Sequence, residues 1–462
     1  MLPLDHIRRL SGFGQTEFRD AYVFRPENVQ EVQGVLDLAR KSGRQVVLRG
    51  SGRSYGDAAV GAECIALDIR GMSRILSWDP STGIIEVESG VTLEQIWKYC
   101  LPDGWWLPVV SGTMAPTIAG ALAANIHGKN NFLAGCLGEH VLEIDIQPPN
   151  SELQTLTPND DLFYAVVGSF GLLAPIVRAK LQMKEVTSGM LGVQPVSCPS
   201  WEAQFTSFEH YEVKDADYMV SWVDCFAKGT AQGRGIFHSA AHLQDDDHYA
   251  LDARSQDLPA KVMGMIPKIK VWRFLKLLNN RPAMRMVNTA KYLAGRREKP
   301  SNQSLAAYSF LLDYVPDWEL AYQPGGFIQY QSFIPKERAR AVFLQQIEMQ
   351  QVEKLEAFLG VMKRHRTDRF LLSHGVDGYS LALDFKVTQS NRTRLWALCH
   401  RMNDLVLEAG GRFYFAKDST LRPEDAHAFL GQEVISAFRS YKAQLDPENL
   451  LTSELARRLK LT

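Results

Sequence analysis

The chain of 462 residues lacks a Cys-x-x-Cys pair, a substantial net charge and any apolar run near the ~20 residues a membrane-spanning helix needs. Each absence closes a class of function. Six cysteines (Cys64, Cys100, Cys136, Cys198, Cys225, Cys399) lie scattered, which excludes a zinc knuckle or a dithiol redox motif and leaves reduced, buried thiols as the expectation. A formal charge of -1 argues against a generally basic nucleic-acid binder, so any basic surface must be local. The opening "MLPLDHIRRLSGFGQTEF" has no charged-then-apolar signal pattern. The expectation is a protein that is soluble or held at a membrane surface from the cytoplasmic side. No internal repeat or low-complexity segment is present.

What is there suits a packed enzyme. With 45% hydrophobic, 10% aromatic and 22% charged residues the composition is globular, and the length points to two domains. Residues 26–43, "PENVQEVQGVLDLARKSG", open on Pro, carry acids early, space apolar residues by three and four, and close on Lys-Ser-Gly: a capped helix. A strand at Gln45 to Leu48 leads into the glycine loop "RGSGRSYGD", and a second strand follows at Ile65 to Ile69. "ILSWDPSTGIIEVESG" reads as a hairpin, and a helix follows at Thr92 to Cys100. "LFYAVVGSFGLLAPIVRAKLQM" reads as helix, glycine turn and strand. Near Val186 to Ser200 this alternation gives way to mixed, aromatic-rich sequence, which marks a domain boundary.

The first loop has the spacing G-x-G-x-x-x-G at Gly50, Gly52 and Gly56, one residue longer than the dinucleotide fingerprint and without the amphipathic helix that must follow it. A P-loop fails too, since Gly128-Lys129 has no Ser or Thr next. What remains is a stretch of backbone N–H groups, unobstructed by Cβ atoms, able to wrap an anion. A second glycine-rich region, "SGTMAPTIAGALAANIHGKNNFLAGCLGEHV", makes a pair suited to a long ligand carrying a pyrophosphate. Taken singly, either loop also reads as a plain turn.

These two loops, together with "LFYAVVGSFGLLAPI", "IHGKN" and "GGRFYFAKDS…LDPENLLTSELARRLKL", resemble the flavin oxidases of the vanillyl-alcohol oxidase type, with the PCMH-type FAD-binding domain. Within them the likeness is to the branch acting on polyprenyl-phosphate-linked pentoses, and it runs from Leu10 to Leu461, strongest toward both ends. The resemblance implies an α+β fold: an FAD-binding domain formed by both chain ends (1–187 and 406–462) with an inserted antiparallel-sheet substrate domain flanked by helices (188–405). It implies FAD contacts from Arg49, Gly50, Ser51, Gly52, Arg53, Ser54 and Tyr55, from Gly112, Thr113, Thr117, Gly120, Ala124, Ile126, His127, Gly128, Asn130, Gly135 and Cys136, and from Tyr414. Relatives that attach flavin covalently carry His where this chain has Arg53, so non-covalent FAD is implied; the alternative is a tether at Cys136 or His127.

Oxidation of an alcohol by flavin needs an acceptor for the hydroxyl proton and positive charge near the reduced ring. Lys417 in "FAKDS" matches the family's active-site lysine, which leaves substrate alignment, proton handling and charge stabilisation open as its role; Tyr55 and His127 match positions lining flavin and substrate. Substrate contacts are implied for Lys129, Gln329, Gln331, Lys363, Asp384 and Lys417, and alternation puts the two glutamines on one face of a strand, which an outward polar face would also explain. A family cysteine targeted by covalent inhibitors aligns with Ala382, implying insensitivity to thiol-trapping compounds. "DDDH" at Asp245 to His248 is read as a solvated loop, and no metal is expected.

From Lys261 to Arg297 there are ten Lys or Arg and no Asp or Glu, interleaved with aliphatic and aromatic residues. This suits attachment to an anionic membrane surface, with a core helix bearing a charged outer face as the alternative and nucleic acid not expected. The functional expectation is FAD-dependent oxidation of the 2'-hydroxyl of a polyprenylphosphoryl-β-D-ribose on the cytoplasmic side of the inner membrane. An NAD(P)H-dependent short-chain reductase would complete the epimerisation. The alternatives are a soluble polyol or aldonolactone oxidase using oxygen, and a flavin- or lipid-binding subunit without chemistry of its own.

Overall fold

The computed structural model describes residues 2–214, 216–243, 250–258, 261–262 and 266–462. The "DDDH" segment lies outside the described residues. The architecture is mixed α+β: two small sheets and their helices form the FAD-binding part, and an antiparallel sheet flanked by helices is inserted into it.

The first sheet runs in the order Ile7–Ser11, Phe18–Phe24, Ile65–Asp68, Val46–Arg49, the last two strands parallel to each other. Its covering helix, Val29–Lys41, is capped by the Asn28 side chain, and buries Val32, Val35, Leu36 and Ala39 against Val46, Ile65 and Leu67. The same cluster takes in Leu450 and Leu451, because the chain end returns to the strand's open edge: Val46 N donates to Leu450 O at 2.7 Å and Thr452 N to Val46 O at 2.8 Å. The second sheet, Ile75–Asp79, Ile84–Glu88, Ile176–Gln182, Val141–Ile146, Gln154–Leu156, is antiparallel throughout. Leu93–Cys100 follows the hairpin as a helix closed by a Thr92/Gln95 capping box.

The inserted sheet has eight antiparallel strands in the order Ser301–Ser304, Met190–Cys198, Gly235–His242, Tyr218–Val223, Leu359–His365, Gly378–Lys386, Phe327–Pro335, Arg412–Phe413. One face packs on the helices Trp201–Val213, Lys336–Glu353 and Arg392–Glu408, where Gln204 meets Ser221 and Gln346 meets Ser332. The opposite face, one residue out of phase along each strand, looks toward the FAD-binding part. The chain leaves this sheet after Phe413, not at 405.

The basic stretch is a helix pair, Lys268–Leu278 and Arg281–Gly295. Lys268–Leu278 buries none of its residues, and Arg281–Gly295 buries Asn288 and Tyr292, the latter against Trp222 and Ile236. Residues 263–265 of the basic stretch lie outside the described residues.

Candidate active site

A cavity of about 930 Å³ runs between the two glycine regions, the turn at Lys417 and the free face of the eight-stranded sheet. At its inner end the backbone amides of Ser51, Gly52, Arg53 and Ser54 have no hydrogen-bond acceptor among the described residues. Four successive unpaired donors along a cavity wall form an anion cradle, and the turn that presents them needs glycine at two positions. A Cβ on Gly50 would sit 2.3 Å from Thr117 Oγ1, and Gly52 has φ of +65° with the Arg49 guanidinium where its Cβ would be. Arg49 itself donates to Ala59 O at 2.9 Å and Ser11 O at 3.0 Å, so its charge holds the loop in shape.

The loop is pinned to the far end of the chain. Tyr55 N donates to Ala416 O at 2.8 Å, and a Cβ on Gly56 would fall 1.9 Å from Asp418 O, so only glycine permits this approach. Arg458 ties the same two segments, donating to Asp57 at 2.8 Å and to Asp418 at 2.7 Å. These contacts fix Lys417 beside Tyr55, its Nζ 3.7 Å from the centre of the ring.

Around Lys417 the cavity collects a polar cluster. Register places Gln329 opposite Asp384, Gln331 opposite Ala382 and Lys363 opposite Ser380, all on the cavity face. The Gln329 amide donates to Asp384 at 2.5 Å, and the Gln331 amide donates to Ser380 Oγ at 3.1 Å and lies 3.4 Å from His127 Nε2. Burial, aided by the charge on Lys363, pulls Lys417 down to about 7 against the opposing pull of Asp384. Burial alone lowers Lys363 to about 8. It also raises Asp384 to about 6, although Gln329 and Lys417 favour its charged form. Burial and the charge of Lys363 hold His127 neutral; its Nδ1 has no partner among the described residues. Its ring packs against those of His365, His374, Tyr414 and Phe333. The cluster therefore joins a lysine able to be neutral near pH 7 to amide and hydroxyl groups suited to a polyol.

Of the residues expected at the site, the structure brings Arg49 to Tyr55, Gly112, Thr113, Thr117, Gly120, Ala124, Ile126, His127, Lys129, Gln329, Gln331, Lys363, Tyr414 and Lys417 to the cavity wall. Gly128, Asn130, Gly135 and Cys136 do not line it, and Asp384, on the cavity face of its strand, lies beneath the Gln329 amide. Asn130 donates to Pro108 O at 2.8 Å and Cys136 is buried against Asn131, so both brace the second loop. Lys129 lines the cavity, but its ammonium is bonded to the Tyr308 carbonyl and lies over the Tyr308 ring. Among the described residues no cysteine lines the cavity, and Ala382 forms part of its floor. Sequence reasoning missed Val220, Trp222, Ile236, Leu359, Val361 and Lys291, which extend the cavity away from the loops. Only strand alternation signalled the first five; nothing local marked Lys291. Among the described residues no group of His, Cys, Asp and Glu is arranged to hold a metal ion.

Comparison with known proteins supplies what the cradle holds. An FAD binding domain model matches residues 21–157, which include both glycine regions up to the end of the second. Decaprenylphosphoryl-beta-D-ribose oxidase of Mycolicibacterium smegmatis is 30% identical over 465 residues, covering 98% of this chain and 98% of that protein. An uncharacterised protein of Streptomyces coelicolor is 28% identical over 388 residues, 80% of this chain and 100% of that one. L-gulono-1,4-lactone dehydrogenase of Mycobacterium tuberculosis is 28% identical over 160 residues, 35% of this chain and 37% of that protein. The cofactor is FAD, and the bare amides of 51–54 fit its pyrophosphate.

Proposed function

The chain belongs to the FAD-dependent oxidoreductases of the vanillyl-alcohol oxidase and PCMH type, and from that premise we propose that it oxidises the 2'-hydroxyl of a polyprenylphosphoryl-β-D-ribose to the 2'-keto sugar. Oxidation of a CH–OH group in a sugar or polyol is the broader chemistry that its relatives named for ribose and aldonolactones support. The observation that carries the finer reading is the cluster of Lys417, Gln329, Gln331 and Lys363 at the end of the FAD cradle, where a polyol and a phosphate can be held together.

Bound in the cradle, FAD supplies the two-electron acceptor for the carbinol C–H. Lys417, neutral on a large share of molecules near pH 7, accepts the 2'-hydroxyl proton at Nζ. The ammonium it becomes is steadied by the Tyr55 ring and by Asp384. Gln329 and Gln331 orient the remaining hydroxyls, and Lys363 receives the phosphate.

In this reading the protein works on the cytoplasmic side of the inner membrane, attached peripherally through the helix pair 268–295, and a separate NAD(P)H-dependent short-chain reductase reduces the ketone to the arabino product. No helix among the described residues is long and apolar enough to cross a membrane. The test is to incubate the holoenzyme with lipid-linked ribose and then reduce the product with borodeuteride. Deuterium at C2' of recovered ribose and arabinose is expected. Label absent from C2', with peroxide formed from free polyols, would replace the lipid-linked substrate with a soluble one.

A further inference from the structure

A second buried histidine stands behind His127. His365 ends strand Leu359–His365, on the same face as Lys363, and does not itself line the cavity. Both of its ring nitrogens are engaged, and the direction of every bond around it follows from one that cannot reverse. The backbone N–H of Arg366 can only donate, and it meets Asn131 Oδ1 at 3.3 Å, while the NH2 end of the same amide faces Cys136 Sγ at 3.4 Å. Asn131 Oδ1 is therefore the acceptor, and His365 Nδ1, 2.9 Å from it, must carry the ring proton. Burial, aided by the charge of Lys363, holds the ring neutral, so its Nε2 is bare and accepts from Ser380 Oγ at 2.8 Å. Ser380 has then spent its only hydrogen, and the Gln331 side-chain atom 3.1 Å away must be the amide NH2. The same NH2 reaches His127 Nε2 at 3.4 Å, which must accept in turn and leaves the His127 proton on Nδ1.

We infer that His365 is a positioning residue, which acts through Ser380 to fix the hydrogen-bonding sense of the two active-site groups Gln331 and His127. With its NH2 committed to Ser380 and His127, the Gln331 amide has only its carbonyl oxygen free for the cavity, an acceptor for a hydroxyl and never a donor. His127 is left with Nδ1–H, buried and without a partner among the described residues, as a donor for an oxygen that a ligand brings. Reversing any one link sets two donors or two acceptors face to face among side chains that are all buried, so the chain of bonds switches as a whole or not at all. Asn131 and His127 lie four residues apart in the second glycine region, and between them the bonds cross three neighbouring strands of the inserted sheet. The cofactor side thus dictates which end of Gln331 the sugar side presents. The sense of these bonds is a property of the folded protein, whereas its effect on the reaction rests on the reading that a sugar alcohol is oxidised here.

Ring nitrogen NMR shifts of the histidine-labelled holoprotein, read without substrate, test this directly, with the two signals identified from His127→Gln and His365→Phe. In the wild-type protein both rings are expected to carry the proton on Nδ1. His365→Phe, which keeps a ring and removes both nitrogens, and Ser380→Ala, which removes one hydroxyl, should each let His127 populate the Nε2–H form. Phe333→Leu is the control for packing: Phe333 lies against both histidine rings and gives neither a hydrogen bond, so its loss should leave the His127 tautomer as it was. In His365→Phe and Ser380→Ala, flavin reduction by substrate should slow about tenfold or more with FAD content unchanged, as for a group held out of place. A wild-type His127 protonated on Nε2, or an Nδ1–H form that survives both His365→Phe and Ser380→Ala, would overturn the inference. So would its equal loss in Phe333→Leu, which would make the tautomer a matter of packing. Failure of the oxidase reading has a different signature: the tautomer and its loss in the two variants persist, yet lipid-linked ribose produces no ketone.

Discussion

Lys417 has the clearest consequences among single residues. Its pKa is lowered, so the neutral base is present above about 7 and lost as pH falls through that value. Flavin reduction by substrate should therefore slow about tenfold for each unit below 7, and stopped-flow measurement across pH 5 to 9 checks this. Lys417→Met should lower the reduction rate by a factor of ~10² to 10⁴, the usual worth of a positioned base, and remove that pH dependence. A rate that falls instead on the alkaline side would mean that the ammonium, not the amine, is the working form. Gly56 is the matching test of scaffolding: Gly56→Ala drives a methyl into the Asp418 carbonyl, so FAD content after purification and the reduction rate should fall together. Lys417 was legible because a specific motif surrounds it. The fates of Arg49 and Lys129 were not, since a sequence displays a charge but not the backbone carbonyl on which it is spent.

Among the elements, the local ones were readable. Helix Val29–Lys41, strands Val46–Arg49 and Ile65–Asp68, the hairpin around Asp79 and helix Leu93–Cys100 all lie within a few residues of where capping, apolar spacing and turn chemistry put them. The full extent of the cavity was hidden because Gln331, Val361, Trp222 and Ile236 come from four strands that only long-range register aligns. The helix pair 268–295 belongs at this scale too. Its exposed apolar residues among basic ones should bind anionic vesicles, each basic group near the surface contributing about 1 kcal/mol. Sedimentation with anionic and with neutral vesicles is expected to separate the two lipids sharply, and a Phe274→Asp, Leu277→Asp pair should cut anionic binding at least tenfold. Equal partition onto both lipids would deny the electrostatic part, and no partition would deny the attachment.

In the whole molecule, three remote parts of the chain build one site. The cradle of 51–54 comes from the first quarter, the glutamines and Lys363 from the inserted sheet, and Lys417 from the segment that returns, with Arg458 clamping first and last together. Lys442 performs a similar service in the interior, donating to Leu172 O, Leu451 O and Asp446. Lys442→Ala should cost about 3 to 5 kcal/mol in denaturant unfolding, because it strands the buried Asp446 carboxylate. The boundary near Val186 to Ser200 was visible in the sequence pattern and the division into an FAD part and a substrate part came from the resemblance, whereas the Arg412–Phe413 strand, which keeps the returning segment on the inserted sheet, was too short to announce itself. One cavity serves both FAD and the lipid-linked sugar in the proposed reaction. An anaerobic absorbance titration of the purified holoprotein, following the oxidised flavin band near ~450 nm, tests it most directly. Stoichiometric bleaching by polyprenylphosphoryl ribose, with free ribose and polyols inert, is the expected result. A flavin that ignores the lipid-linked sugar and bleaches with a free polyol would contradict it.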